Sequence, residues 1–289
     1  MDIELGRFPT NCEQPEPIKF AAPIFLLPEL FTTPRHLAIV LGYLASMGWE
    51  VYVPDLRAAV GKDATPPLGK LQFSDLVALA SEAIDAVCRD ALGRGAVVLG
   101  HGVGGLVALK LSAHPRVKAS VAYAPLIPGF RTPLITGFGN RLAMMLPKML
   151  PIMSRGREIK PPRGRILFEL IADSDPFTRD GLIKAMVPDS GRVAADVISG
   201  AIDFGASEKA APRLIVAGES DIFAPFERMV EFADSIGAKV AKIAGRGHWL
   251  IGGRALERAI NETQRFIVRA LGQDLLLLYP EEWKNDQDR

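Results

Sequence analysis

Short apolar runs alternate with helically spaced segments along most of this chain, and that rhythm is its strongest constraint on fold. Pro23–Leu27 (PIFLL), Val51–Pro54 (VYVP), Ala96–Leu99 (AVVL) and Ser120–Tyr123 (SVAY) each read as a short buried strand. Between them, Pro34–Met47, Phe73–Arg89 and Leu106–Ala113 carry apolar residues at helical spacing, and Gly48 stops the first. Strands that are apolar throughout and joined through helices must be covered on both faces. The pattern therefore predicts a parallel sheet with helices on both sides. It lapses over residues 126–208 and resumes with Arg213–Ala217 (RLIVA), the helix Glu227–Ile236, the strand Lys239–Ile243 and the helix Ala255–Leu271.

This gives a core of residues 18–125 and 209–289, a cap inserted at 126–208, and a polar, proline-bearing lead-in at 1–17 with room for one short strand. The chain's 289 residues suit one such α/β unit. Its 34 basic and 33 acidic side chains give no global reason to expect nucleic acid. Two distant cysteines, Cys12 and Cys88, make neither a disulfide framework nor a paired-cysteine metal knuckle. The expectation is no metal and no cofactor. Acids at Asp2 and Glu4 exclude a secretory signal, and no charge-free apolar stretch is long enough for a membrane span. The expectation is a soluble cytoplasmic protein, with its oligomeric state left open. Leu275–Leu278 (LLLL) could pack on the sheet edge or on a second chain.

Three strand-following loops carry chemistry. Gly100-His101-Gly102-Val103-Gly104-Gly105 lies between a strand and a helix; Gly218-Glu219-Ser220-Asp221 follows RLIVA; Gly245-Arg246-Gly247-His248 follows KVAKI. Each is weak alone. Together and in this order they resemble the nucleophile elbow, acid loop and histidine loop of the α/β-hydrolase superfamily. The resemblance covers about residues 18–125 and 209–271. It implies the α/β-hydrolase fold, Asp221 as the acid and His248 as the histidine, with the backbone N–H groups of Val103 and Leu30 as oxyanion hole.

Two departures qualify that resemblance. Gly102 stands at the nucleophile position, and glycine can form no acyl-enzyme. Where the superfamily usually has His-Gly after the first strand, this chain has Pro28-Glu29. Glu29 has two readings of equal weight. It enters the site, opposing an oxyanion or donating a proton, or it turns away to pair with Arg35 or Arg57. His101 reads mainly as a packed neighbour of the site and secondarily as a participant. The cap carries eight basic residues against one acid between Arg131 and Arg165, with a methionine-rich apolar run at Leu142–Met153. A plain lid, a pocket for an apolar ligand with an anionic end, and a weak membrane-surface contact all fit it.

The reading these residues support is an enzyme acting on a small apolar substrate, an anionic one included, without a covalent acyl-enzyme. His248 is its general base and Asp221 the orienter, for water attack on an activated ester or proton transfer in C–C cleavage. The alternative is a ligand-binding or scaffold protein that kept the fold and lost catalysis.

Overall fold

The computed structural model describes residues 1–63, 65–90, 94–129, 155–204 and 210–275. Among these residues, eight strands form one sheet. They are β1 (Asp2–Leu5), β2 (Phe8–Glu13), β3 (Ile24–Leu27), β4 (Val51–Pro54), β5 (Ala96–His101), β6 (Val117–Tyr123), β9 (Arg213–Gly218) and β10 (Lys239–Ile243). Two short strands, β7 (Glu158–Ile159) and β8 (Asp189–Ser190), pair antiparallel on their own. The sheet order is β1-β2-β4-β3-β5-β6-β9-β10. From β4 to β10 every pairing is parallel.

The lead-in differs from its expectation. It is a hairpin, β1 against β2, and β2 pairs antiparallel with β4 at the sheet edge. Its alternating burial, with Phe8, Thr10 and Cys12 inward and their neighbours outward, is that of a strand wet on one face.

The helices are α1 (Ala38–Ser46), α2 (Phe73–Asp90), α3 (Val103–Leu111), α4 (Arg165–Leu170), α5 (Pro176–Ala185), α6 (Gly191–Ser199), α7 (Phe226–Ser235) and α8 (Leu256–Leu271). A 3-10 turn at Pro34–Leu37 leads into α1, because Pro34 pre-sets a helical φ but donates no hydrogen bond. The two faces of β3 show how the layers are built. Ile24 and Leu26 pack in the cluster holding Leu41 and Leu44 of α1 with Ala259 and Ile260 of α8. Phe25 and Leu27 pack in the cluster holding Leu79 and Ile84 of α2 with Leu106 and Val107 of α3. Every residue of β3 is thus buried, as the run IFLL requires.

Within 126–208 the described elements are β7, α4, α5, β8 and α6. Ser190 caps α6, its hydroxyl accepting from the N–H groups of Arg192 and Val193, and Gly200 ends it in a left-handed turn. Arg155, Arg157, Lys160 and Arg163 are exposed. Arg131, Arg141, Lys148 and the run Leu142–Met153 lie outside the described residues, as do Leu276–Leu278 of the tail. No helix among the described residues is long and apolar enough to cross a membrane.

Candidate functional site

The sheet places the site. β3 and β5 are parallel neighbours with Leu27 opposite Gly100, so the loops that follow them emerge side by side although about 70 residues apart in sequence. The β5–α3 turn is sharp. Gly102 has φ +53° and ψ −117°, a conformation costly for any residue with a side chain. Its N–H donates to the Tyr123 carbonyl at 2.9 Å. A Cβ on Gly104 would stand 2.3 Å from the Pro28 carbonyl oxygen, so only glycine there lets the β3 loop lie against the start of α3.

That close approach delivers Glu29. A Cβ built on Gly102 would lie 1.1 Å from Glu29 Oε2 and 2.0 Å from its Cδ, so the Glu29 carboxyl occupies the space a nucleophile would need. Glu29 Oε1 accepts from the N–H groups of Leu30 at 2.6 Å and Val103 at 3.1 Å. These are the two groups expected to form an oxyanion hole. They converge on one oxygen, and in this structure that oxygen belongs to the chain itself. Of the two readings of Glu29, the structure takes the inward one; Arg57 pairs instead with Asp189 at 2.9 Å.

The acid and histidine arrive from the adjacent pair β9 and β10, whose ends align with Ile243 opposite Gly218. Asp221 Oδ2 meets His248 Nδ1 at 2.8 Å, and its Oδ1 accepts from the N–H groups of Phe223 and Ala224. The other ring nitrogen, Nε2, faces Glu29 Oε2 at 3.4 Å. His248, Asp221 and Glu29 are all buried. Burial alone pushes the His248 pKa down. Asp221, through charge and hydrogen bond, and then Glu29 more than reverse this and lift it to about 10. At neutral pH His248 therefore holds a proton between two carboxylates. Of the two carboxyls, Asp221 contributes the more to this rise.

His101 has no exposed surface. Its Nε2–H donates to the His248 carbonyl at 2.9 Å, and its ring stacks edge-on with His248 and Trp249. Burial, aided by repulsion from His248, lowers its pKa to about 4, so the ring is neutral.

Two residues without a sequence signal hold the loops. Asp189 accepts from the Phe31 N–H at 2.8 Å and from Arg57, pinning the β3 loop where Phe31 adopts φ +66°. Asp173 accepts from the Gly247 N–H at 2.5 Å and from Arg246, pinning the histidine loop. Both lie in the stretch without strand–helix rhythm, where single aspartates look like solvated turn residues. A small cavity of about 60 Å³ borders Glu29, Leu30 and Val103, with Leu56, Leu71 and Val193 in its wall.

Residues 26–260 match the family model described as "Alpha/beta hydrolase family". The chain resembles the monoacylglycerol lipase of Paleococcus ferrophilus, with TM-score 0.63 and 18% identity, covering 90% of this chain and 98% of that one. It resembles a soluble variant of the Saccharomyces cerevisiae monoglyceride lipase, solved with a substrate analogue, with TM-score 0.70 and 15% identity over 93% and 94% of the two chains. For a thermophilic esterase of Thermogutta terrifontis the TM-score is 0.62 and the identity 17%, over 92% and 99%. At these identities the likeness shows the fold. No curated protein matches.

Proposed function

Because the chain belongs to the alpha/beta hydrolase family, we propose that it is an enzyme that moves protons at an activated carbonyl of a small apolar substrate, without an acyl-serine. The observation that carries this reading is the Glu29 carboxyl seated in the Gly102 slot with both hole N–H groups on its Oε1 and His248 on its Oε2. A carboxylate and an imidazolium face each other there, a base and an acid in one buried site. Asp221 holds the ring and its charge.

For water attack on an ester, Glu29 takes a proton from water as its oxygen bonds to the carbonyl carbon. His248 gives its Nε2 proton to the departing alkoxide, so ester and water become acid and alcohol. For C–C cleavage, the same pair removes a proton from a hydroxyl and protonates the departing carbon. The apolar wall of Leu56, Leu71 and Val193 favours a small apolar group beside Glu29.

A second reading is favoured by the same oxygen. The hole donors are engaged by the chain's own side chain, as in a protein that binds and does not turn over. A panel of short aryl and alkyl esters and β-hydroxyketones, assayed with chelator-treated protein, separates the two. Turnover reduced about 10²–10⁴-fold in both Glu29→Gln and His248→Gln supports the enzyme. Absence of turnover above buffer, or turnover unchanged in both folded variants, assigns the binding protein.

A further inference from the structure

The relay above leaves one feature unused: His101 Nδ1 is fully buried and has no hydrogen-bond partner among the described residues. An orphan nitrogen in a closed interior is costly, because it has given up water and gained nothing. Its position gives it a use. Glu29, His101 and His248 each offer one ligand atom, and these atoms all lie within 4.8 Å of one another. Oε2 is 3.4 Å from His248 Nε2 and 3.9 Å from His101 Nδ1.

We propose that these three atoms form a binding site for a divalent transition metal of the zinc class. Zinc bonds to nitrogen and oxygen of about 2.0–2.2 Å at tetrahedral angles place neighbouring ligand atoms about 3.4 Å apart. The Glu29–His248 separation already has that value, and the Glu29–His101 separation exceeds it by about half an ångström, which a small side-chain rotation closes.

The surrounding contacts orient the ligands. A metal-bound imidazole commonly donates its other N–H to a carboxylate or carbonyl, which fixes the tautomer and aims the lone pair. Both rings are placed for this: His248 Nδ1 on Asp221 Oδ2 at 2.8 Å, and His101 Nε2 on the His248 carbonyl at 2.9 Å. Glu29 is held through its remaining oxygen by the Leu30 and Val103 N–H groups, which leaves Oε2 for the ion. Gly102 completes the site by lacking a Cβ, since one there would displace the Glu29 carboxyl.

Two imidazoles and one carboxylate suit zinc and its neighbours over calcium or magnesium, which take oxygen donors. Three protein ligands leave a fourth position for water or a substrate atom.

The proposal goes beyond the enzymatic reading; the ion would take Glu29 Oε2 and His248 Nε2 in place of the proton the relay transfers, so turnover is read on the metal-free chain. A chain that turns nothing over can bind the ion, and the relay above needs no metal. The test is direct titration of the full chain, stripped with chelator and dialysed, with zinc chloride alone and with cobalt chloride as optical probe. Expected are one zinc per chain, visible bands of four-coordinate cobalt that zinc abolishes, and affinity at least 10²-fold lower in His101→Ala, His248→Ala and Glu29→Gln. Asp221→Asn, which loosens a ligand without removing it, should weaken binding about 10–100-fold. His114→Ala, remote from the site among the chain's four histidines, should bind as wild type.

Absence of saturable zinc binding, six-coordinate cobalt bands, or binding that survives His101→Ala each overturns the site. If His101→Ala does not fold, His101→Gln replaces it; the cobalt spectrum of the unmodified chain decides independently of any variant. Zinc binding with no turnover by the metal-free chain would leave the metal site standing and remove the enzyme. Turnover without zinc binding would do the reverse.

Discussion

Restoring a nucleophile tests whether Glu29 and Gly102 are two halves of one substitution. In Gly102→Ser alone, the new Cβ meets Glu29 Oε2 at 1.1 Å, so the carboxyl must leave. It then loses the Leu30 and Val103 hydrogen bonds. Bonds to a charged group are worth about 1.5–3 kcal/mol each. A side chain at φ +53° adds about 1–3 kcal/mol of strain. Together these approach the about 5–15 kcal/mol that holds a whole domain folded, so the single variant should melt far below wild type or fail to fold.

The double variant Gly102→Ser with Glu29→Gly removes the collision; it keeps the strain and leaves the Leu30 and Val103 N–H groups, which line the cavity, to water. At about 2–4 °C per kcal/mol for a chain of this size, the strain alone should lower its melting temperature by about 2–12 °C. It also frees both hole donors, each worth about 10²–10³ in kcat, and leaves the serine facing His248. Fluorophosphonate should then label residue 102, mapped by mass spectrometry, and p-nitrophenyl acetate should be hydrolysed. Wild type and Glu29→Gly should take no label. A double variant that melts cooperatively yet takes no label at 102 would refute the idea that one side-chain exchange separates this site from a serine hydrolase.

Three further outcomes follow from the same geometry. With its folded pKa raised to about 10, His248 contributes stability that is fully present below its unfolded value near 6.5 and is lost as pH rises through about 10. Metal-free wild type should therefore lose melting temperature across that window relative to His248→Gln, and superimposable curves would contradict the ion pair. Asp221→Asn removes the first of the charges that raise His248, so the ring's midpoint, followed by proton NMR, should drop by about 1–3 units; an unmoved midpoint would show that Asp221 does not act on the ring. Asp189→Ala leaves the Phe31 N–H and Arg57 without their shared acceptor, so denaturant unfolding should report a loss of about 2–5 kcal/mol. A change below 0.5 kcal/mol would mean the β3 loop is held by other contacts.

Much of the architecture was legible in the sequence because its signals are local. IFLL, AVVL and RLIVA are apolar throughout because parallel central strands are covered on both faces. Apolar spacing of 3.6 marks α2 and α8, and glycine at 102 and 104 marks a turn that side chains would block. The hairpin at the start was less legible. Phe8–Glu13 alternates as a strand wet on one face does, but the polar, proline-bearing stretch around it reads equally well as loop. Strands β7 and β8, two residues each, are too short to carry any period.

The site divides in the same way. Asp221 and His248 are legible as loop residues after strands, since strand order carries them to one edge of the sheet. Leu30 and Val103 are legible as candidate donors because backbone N–H groups follow from the turn and not from side-chain identity. The destination of the Glu29 side chain was beyond the sequence, which left pairing with arginine and entry into the site equally open. It depends on a contact between segments about 70 residues apart: the register that sets Leu27 beside Gly100, the absence of a Cβ at Gly104, and the empty volume at Gly102. A single chain of letters records each of these residues, but the packing of one loop on another is a distance in space. That distance alone decides that the carboxyl of Glu29 fills the space a side chain at Gly102 would take and meets two histidines there.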